Sequence, residues 1–335
     1  MMKNKLTMLF PLLSLIMVLL ISCNSTPPEK KQVIIPITLP TGEFAPGIYF
    51  RKPFPGFHGG VLKNLDSSVS SSINVESFDI RPRAIVYGVD DKLVLVAPDG
   101  KANPINIPGL HQIDRPSFSP DGKKVAVQAR ETSTETEDIN IYIVDLKTKK
   151  FERISHLDIN EESPEWFKNQ NKVVYTSFGP RGLVAHIYDL DTGKEIQTLP
   201  GAGSIHLAVS PDGTLLFNPV LSRLYKIATG EMVADFKKNI LTALKDHGNN
   251  LDTRFQGQAA QGTFPMDADF SPDGKHIIFD GAVEKNGQFG LMIFRMTTSG
   301  NNITPITGVI EVNPAYSNGN NYSQLNPNWF GKQIK

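Results

Sequence analysis

The chain has 335 residues, 40% of them hydrophobic and 20% charged, a balance that suits a globular protein with a core and excludes a disordered one. Lys plus Arg number 34 and Asp plus Glu 34, so no basic excess points to a nucleic-acid partner, and none is expected. Gly (27) and Pro (24) supply the punctuation of many short strands and turns, and the length allows one large all-β domain or two ordinary ones.

Residues 1–22 read as a signal peptide: Lys3 and Lys5 precede an uncharged, largely apolar run from Leu6 to Ile21. A membrane span is the competing reading, but Pro11 interrupts the run, which falls short of the ~20 apolar residues a span prefers. The run ends in Leu20-Ile21-Ser22-Cys23, which resembles the lipobox of bacterial lipoproteins. That resemblance implies cleavage before Cys23, diacylglycerol thioether-linked to its sulfur, and N-acylation. This covalent lipid is the one non-protein group expected; no dissociable cofactor and no metal site are. Cys23 is the only cysteine, so intrachain disulfides are excluded and lipidation leaves no free thiol. Two or more acyl chains anchor stably where one does not, which makes the membrane a partner. Asn24, rather than Asp, follows the cysteine. By resemblance to the enteric sorting rule this favours the outer membrane, facing either the periplasm or the surface. Loss of residues 1–22 leaves 32 basic against 34 acidic residues. Residues 23–32, the cysteine and the polar, Pro-containing stretch after it, form a tether.

Residues 33–74 make an N-terminal extension with strand-like pieces, "VIIPITL" and "GIYF", and "VESFDI" follows at 75–80. From residue 75 the chain becomes repetitive. "SFSPDGKK" (117–124), "AVSPDGTL" (208–215) and "DFSPDGKH" (269–276) share Ser-Pro-Asp-Gly between apolar runs, the signature of a β-hairpin. Pro sets φ near −65°, Ser and Asp offer local side-chain bonds, and Gly takes the left-handed conformation. Two further copies, "SPEWFKNQNKVVYTS" (163–177) and "NPNWFGKQIK" (326–335), keep the frame without the turn residues. Pro116, Pro164 and Pro327 each stand two before an aromatic, Phe118, Trp166 and Trp329. A second hairpin type alternates with the first, as in "INIYIVDLKTKKFERIS" (139–155) and "AHIYDLDTGKEIQTL" (185–199).

Two hairpins per unit give four strands, and the units recur at spacings of 48, 43, 61 and 59 residues, which predicts a β-propeller of four-stranded blades. Five repeats are readable, so five or six blades are expected. The C-terminal unit stops soon after Trp329, and "RAIVYGV" and "KLVLVA" near the start read as later strands of a blade. The ring is therefore expected to close by pairing N- and C-terminal strands, with 33–74 either completing a sixth blade or wrapping the outside. The pattern P-x-[FW]-S-P-D-G-K followed by IY-x-x-D-x-x-T-G resembles the WD-like repeats of the TolB-type propeller family over residues 75–335. That family carries an α/β domain ahead of its propeller. Only about fifty residues separate Cys23 from the first repeat, so a full TolB counterpart is not expected. The period breaks at about 237–264, an insertion that is either a binding loop or a decoration, and an Asn- and Tyr-rich loop follows at 314–326.

No G-x-S-x-G, H-E-x-x-H or P-loop is present, and the seven His are scattered. No hydrolase domain follows the propeller, as it does in prolyl-oligopeptidase enzymes with such repeats. Asp267 and Asp269 stand two apart on a strand, so both face one way. They either bind a ligand or bond turns and a neighbouring blade. The equivalent pairs are Arg115/Ser117, Ser163/Glu165, His206/Ala208 and Asn326/Asn328. In a closed ring these positions meet at one mouth of the channel, making Arg115, Glu165, His206, Asp267 and Asp269 the candidate binding residues. Asp121, Asp212 and Asp273 inside the turns carry no functional expectation. A non-enzymatic module that binds a protein or peptide partner is the leading expectation. The alternatives are a surface adhesin for host matrix or plasma proteins and a propeller lyase or hydrolase with its active site at the mouth.

Overall fold

The computed structural model describes residues 43–53, 60–65, 70–73, 77–89, 91–132, 138–180, 182–247, 267–285, 288–311 and 327–330. The expected signal peptide, Cys23 and the tether, the loop at 314–326 including Asn326, and the second half of the insertion lie outside the described residues. Among these, no helix is long and apolar enough to cross a membrane.

The three Ser-Pro-Asp-Gly stretches fold into the same turn. The first Ser hydroxyl donates to the Asp carboxylate two residues on, at 2.8 Å for Ser119–Asp121, 2.6 Å for Ser210–Asp212 and 2.7 Å for Ser271–Asp273. The same carboxylate accepts the N–H of the residue after Gly, Lys123, Thr214 or Lys275, at 3.1 Å in each. Gly122, Gly213 and Gly274 have φ of +67°, +73° and +70°, a conformation that Gly adopts without steric cost. The Lys123 N–H, then the Ser119 hydroxyl, hold Asp121 below the usual carboxylate range. These aspartates build turns, as expected.

Such hairpins assemble six sheets. Blade 1 holds β1 (Gly47–Pro53), β2 (Gly60–Asn64) and β3 (Ser70–Ile73); blade 2 holds β4 (Phe78–Arg81), β5 (Ala84–Val89), β6 (Lys92–Val96) and β7 (Ala102–Asn106). Blade 3 holds β8 (Leu110–Phe118), β9 (Lys124–Glu131), β10 (Asn140–Asp145) and β11 (Phe151–Arg153). Blade 4 holds β12 (Glu161–Trp166), β13 (Lys172–Gly179), β14 (Gly182–Asp189) and β15 (Lys194–Pro200). Blade 5 holds β16 (Ala208–Val209), β17 (Leu215–Asn218), β18 (Arg223–Lys226) and β19 (Met232–Asp235). Blade 6 holds β20 (Ala268–Phe270), β21 (His276–Lys285), β22 (Gln288–Thr297) and β23 (Thr304–Pro305), with a short β24 (Ile310–Glu311) also on β22. Finally β25 (Asn328–Phe330) pairs antiparallel with β1, Ile48 opposite Trp329, and completes blade 1.

The protein is thus an all-β, six-bladed propeller. The first strand of each blade lies innermost, and β4, β8, β12, β16, β20 and β25 touch in that order around a closed ring. Of the extension, β1, β2 and β3 supply three strands of blade 1, which adds a sixth blade to the five that the repeats show. "SFDI" becomes β4, an inner strand with no Ser-Pro-Asp-Gly after it, which is why the sequence repeat does not reveal it. The core is also annular: six buried clusters each join neighbouring blades. Blades 3 and 4, for example, meet through Ala126, Ile141, Ile143, Trp166, Val173 and Tyr175.

One device recurs along the inner wall. Asp79 Oδ2 accepts the Phe118 N–H at 2.7 Å, Ser117 Oγ the Trp166 N–H at 2.9 Å, and Asp269 Oδ2 the Trp329 N–H at 2.8 Å. Each acceptor lies at the same position of its blade and reaches the inner aromatic of the next. The Asn328 amide reaches the Phe78 carbonyl at 3.2 Å and continues the series from blade 1 to blade 2. Blades 4 and 5 are joined differently, by Asn169 and Gln170 donating to the Pro211 and Asp212 carbonyls at 2.8 and 3.1 Å.

The insertion begins as a helix, α1 (Lys237–His247), whose first N–H is accepted by Asp235 Oδ1 at 3.0 Å. Ile240 and Leu244 are buried with Phe236, Phe217 and Phe294 between blades 5 and 6. This half of the insertion fills core; residues 248–264 lie outside the described part.

The wall bonds carry a test. Asp79→Ala leaves two buried N–H groups, of Ile80 and Phe118, without their acceptor. Chemical denaturation is expected to show a loss of about 1.5–3 kcal/mol for it and about 1 kcal/mol for Ser117→Ala. Unchanged midpoints would mean that packing alone closes the ring.

Candidate functional site

The N-terminal ends of the inner strands meet at one mouth of the channel, where residues of all six blades enclose about 60 Å³ of water-accessible space. Arg115, Glu165, His206, Asp267 and Asp269 all line it. The local backbone explains how two of these positions turn inward. Arg115 on β8 and Ser163 on β12 hold equivalent places, both precede Pro, and both have positive φ, +48° and +59°. The ladders with β9 and β13 shift register around them. Bulges of this kind re-aim side chains, and non-Gly residues rarely take such φ values.

An outer layer runs across the mouth. Arg115 Nη1 donates to the Ile205 carbonyl at 2.6 Å and meets Nε2 of His206. Nδ1 of His206 lies 2.7 Å from Asp267 Oδ1. The Ser163 hydroxyl donates to the same Ile205 carbonyl. Blades 3, 4, 5 and 6 are tied together by this line. An Asp–His pair is the geometry of a positioned base, but here both ring nitrogens are engaged, one by Asp267 and the other by the guanidinium. The line is a rigid charged surface.

An inner layer lies one alternation deeper. Lys168 Nζ sits 3.4 Å from Glu165 Oε1 and 3.5 Å from Asp269 Oδ1. Ser117 Oγ donates to Glu165 Oε2 at 3.2 Å. Asp269 also accepts the Phe270 N–H at 2.8 Å, so it serves the ring before any ligand. Burial pushes the Glu165 carboxyl up to about 7 despite Lys168, and Asp79 and Asp269 add to the rise. Burial likewise raises Asp269 against the pull of Lys168 and the Trp329 N–H. Burial works against the Lys168 ammonium, yet Asp269 and Glu165 outweigh it and hold the group above its ordinary value.

The structure thus brings the five sequence candidates to one cavity and adds Ser77, Asp79 and Lys168 to them. Ser77 and Asp79 repeat the two-apart polar pattern of Asp267 and Asp269, a signal legible once "SFDI" is read as an inner strand. Lys168 carries no such signal, because it belongs to the turn after β12 and reaches the channel only through the fold. Among the described residues no three His, Cys, Asp or Glu side chains are grouped as a metal centre requires.

No family model matches the chain, and no curated protein matches it in sequence. Solved structures do. A putative TolB from Agrobacterium tumefaciens is similar at 12% identity and a TM-score of 0.50, over 79% of this chain and 90% of that one. TolB from Acinetobacter baumannii is similar at 18% identity and 0.46, over 67% of this chain; the match spans about half of that protein, 52%. The β-propeller domain of the Trilobed protease from Pyrococcus furiosus is similar at 15% identity and 0.41, over 69% and 70%. At these identities the likeness shows the fold alone, a β-propeller.

Proposed function

We propose that the chain is a lipid-anchored propeller of the bacterial cell envelope that binds a protein or peptide partner at the channel mouth and performs no chemistry of its own. The observation that carries the binding reading is the convergence of Arg115, His206, Asp267, Glu165 and Asp269 on a space of about 60 Å³. Small-molecule pockets run to roughly 300–1,000 Å³, so this one suits a side-chain tip or a chain terminus presented by a larger partner. Its charges are held by one another, which favours specific recognition over acid–base work. The anchor rests on the lipobox resemblance at Leu20–Cys23, and the envelope address follows from it.

The mouth is tested by placing a photo-crosslinkable residue at Ser163 in living cells. A discrete adduct is expected, reduced about tenfold or more by Arg115→Ala or Asp267→Asn, each a charged contact at the mouth. No adduct, or catalytic turnover by the purified protein, would overturn the reading. The anchor is tested by metabolic labelling with an alkyne fatty acid: the protein takes up label, and Cys23→Ala loses it and leaves the membrane fraction. Label retained by Cys23→Ala would remove the anchor from this residue.

The ionisation of Glu165 has its own consequence. Its folded value of about 7 lies above the ordinary 4.5, so its contribution to stability is complete below pH 4.5 and is lost as pH rises through 7. Burial places Glu161 on blade 4 at about 7 as well, with the same sign. Thermal melting is expected at lower temperature near pH 8 than near pH 5, and Glu165→Gln makes that fall shallower. An unchanged slope in Glu165→Gln would show Glu165 to be ionised across the range.

A further inference from the structure

A second cavity, of about 350 Å³, lies between the chain leaving β11 and one face of blade 4, and it shares no lining residue with the channel mouth. That volume falls within the roughly 300–1,000 Å³ of small-ligand sites. The β12–β15 registers set Glu161 opposite Ser177, Tyr175 opposite His186, and Tyr188 opposite Glu195. Tyr175 and Tyr188 wall the cavity with Ile154, and Glu161 and Glu195 supply its carboxylates.

The wall is braced from behind. Tyr175 stacks on the His186 ring at 5.1 Å between centroids. His186 is held by the Ser177 hydroxyl at Nε2 and by Glu195 at Nδ1, both at 2.8 Å. The Tyr175 hydroxyl donates to Glu195 at 3.3 Å. Glu161 differs from these groups. It is 0% exposed, and neither carboxylate oxygen has a hydrogen-bond partner of normal geometry. Ser155 and the Leu157 N–H are near enough to favour its ionised form, but burial dominates. Buried carboxylates so weakly held are costly and rare, so one that lines a cavity of ligand size marks a recognition point.

We propose that this cavity binds a compact organic cation, a protonated amine, with Glu161 as its counter-ion and the Tyr175 and Tyr188 rings covering its carbon body. Aromatic faces attract cations as well as alkyl groups, and a desolvated carboxylate supplies the charge-assisted bond. An anion would meet the buried Glu161 carboxylate; Glu195, Lys194 and His156, which also line the cavity, are exposed and solvated. The ligand class is therefore set by the buried charge.

The test is calorimetric titration of the purified chain with n-butylammonium chloride at about pH 8, with n-butanol as the neutral control of matched size. Saturable one-to-one binding of the ammonium and none of the alcohol is expected. Glu161→Gln removes a buried charge while keeping shape, and it is expected to fold and to bind the ammonium about tenfold or more weakly. No saturable binding of the ammonium by the unsubstituted chain would overturn the proposal whatever the variant does. So would equal binding of alcohol and ammonium, or undiminished affinity in folded Glu161→Gln.

Discussion

The bond between one blade's inner-strand acceptor and the next blade's backbone N–H underlies the rest of this structure. An inner strand has a partner on one side only, and on its other side lies the channel. There the N–H groups of Phe118, Trp166 and Trp329 would stand without acceptors, and buried N–H groups rarely do. Asp79, Ser117 and Asp269 satisfy them across the blade boundary. The same bonds hold Phe118, Trp166 and Trp329 in three of the six clusters that make up the core, so there polar satisfaction and apolar packing depend on one repeated position.

The series is interrupted where the candidate site is found. Blade 4 carries Glu165 at the acceptor position and blade 5 carries Ala208. Glu165 turns to Lys168, which lies between it and Asp269. Across the same sector Arg115, Ser163, His206 and Asp267 link blades 3 to 6 through the Ile205 carbonyl and one imidazole. Charged side chains thus do here what backbone bonds do elsewhere in the ring. This leaves a polar, rigid mouth in which each group is oriented by its neighbours, a property of recognition surfaces. It also means that no residue of the mouth serves recognition alone, since each also joins blades.

Much of this was legible in the residues, and the parts that were not share a cause. The turns, the hairpin alternation, the four-strand period and the ring closure all follow from local chemistry: Pro fixes φ, Gly accepts positive φ, and Ser and Asp satisfy the turn. The five mouth residues were legible because the repeat aligns them. β4 was legible as a strand in "VESFDI", but not as the inner strand of a blade, because a two-residue turn, Pro82-Arg83, replaces Ser-Pro-Asp-Gly. Lys168 escaped because it lies in a connection rather than at an aligned position. α1 escaped because a helix within an all-β period looks like any long insertion, and only the gap between blades 5 and 6 shows what Ile240 and Leu244 fill.

By itself, then, the sequence determined the blade as a unit, the closed ring it must form and the positions that meet at the channel, because these depend on contacts within a few residues or on a repeated motif. Only the tertiary structure decided how those positions divide their work. Asp269 bonds a backbone 60 residues on, and Arg115 meets a histidine 91 residues away. It also placed Glu161 in the dark side of a cavity between two blades. Such pairings are set by the angle at which one sheet packs on the next, and no spacing along the chain encodes that angle.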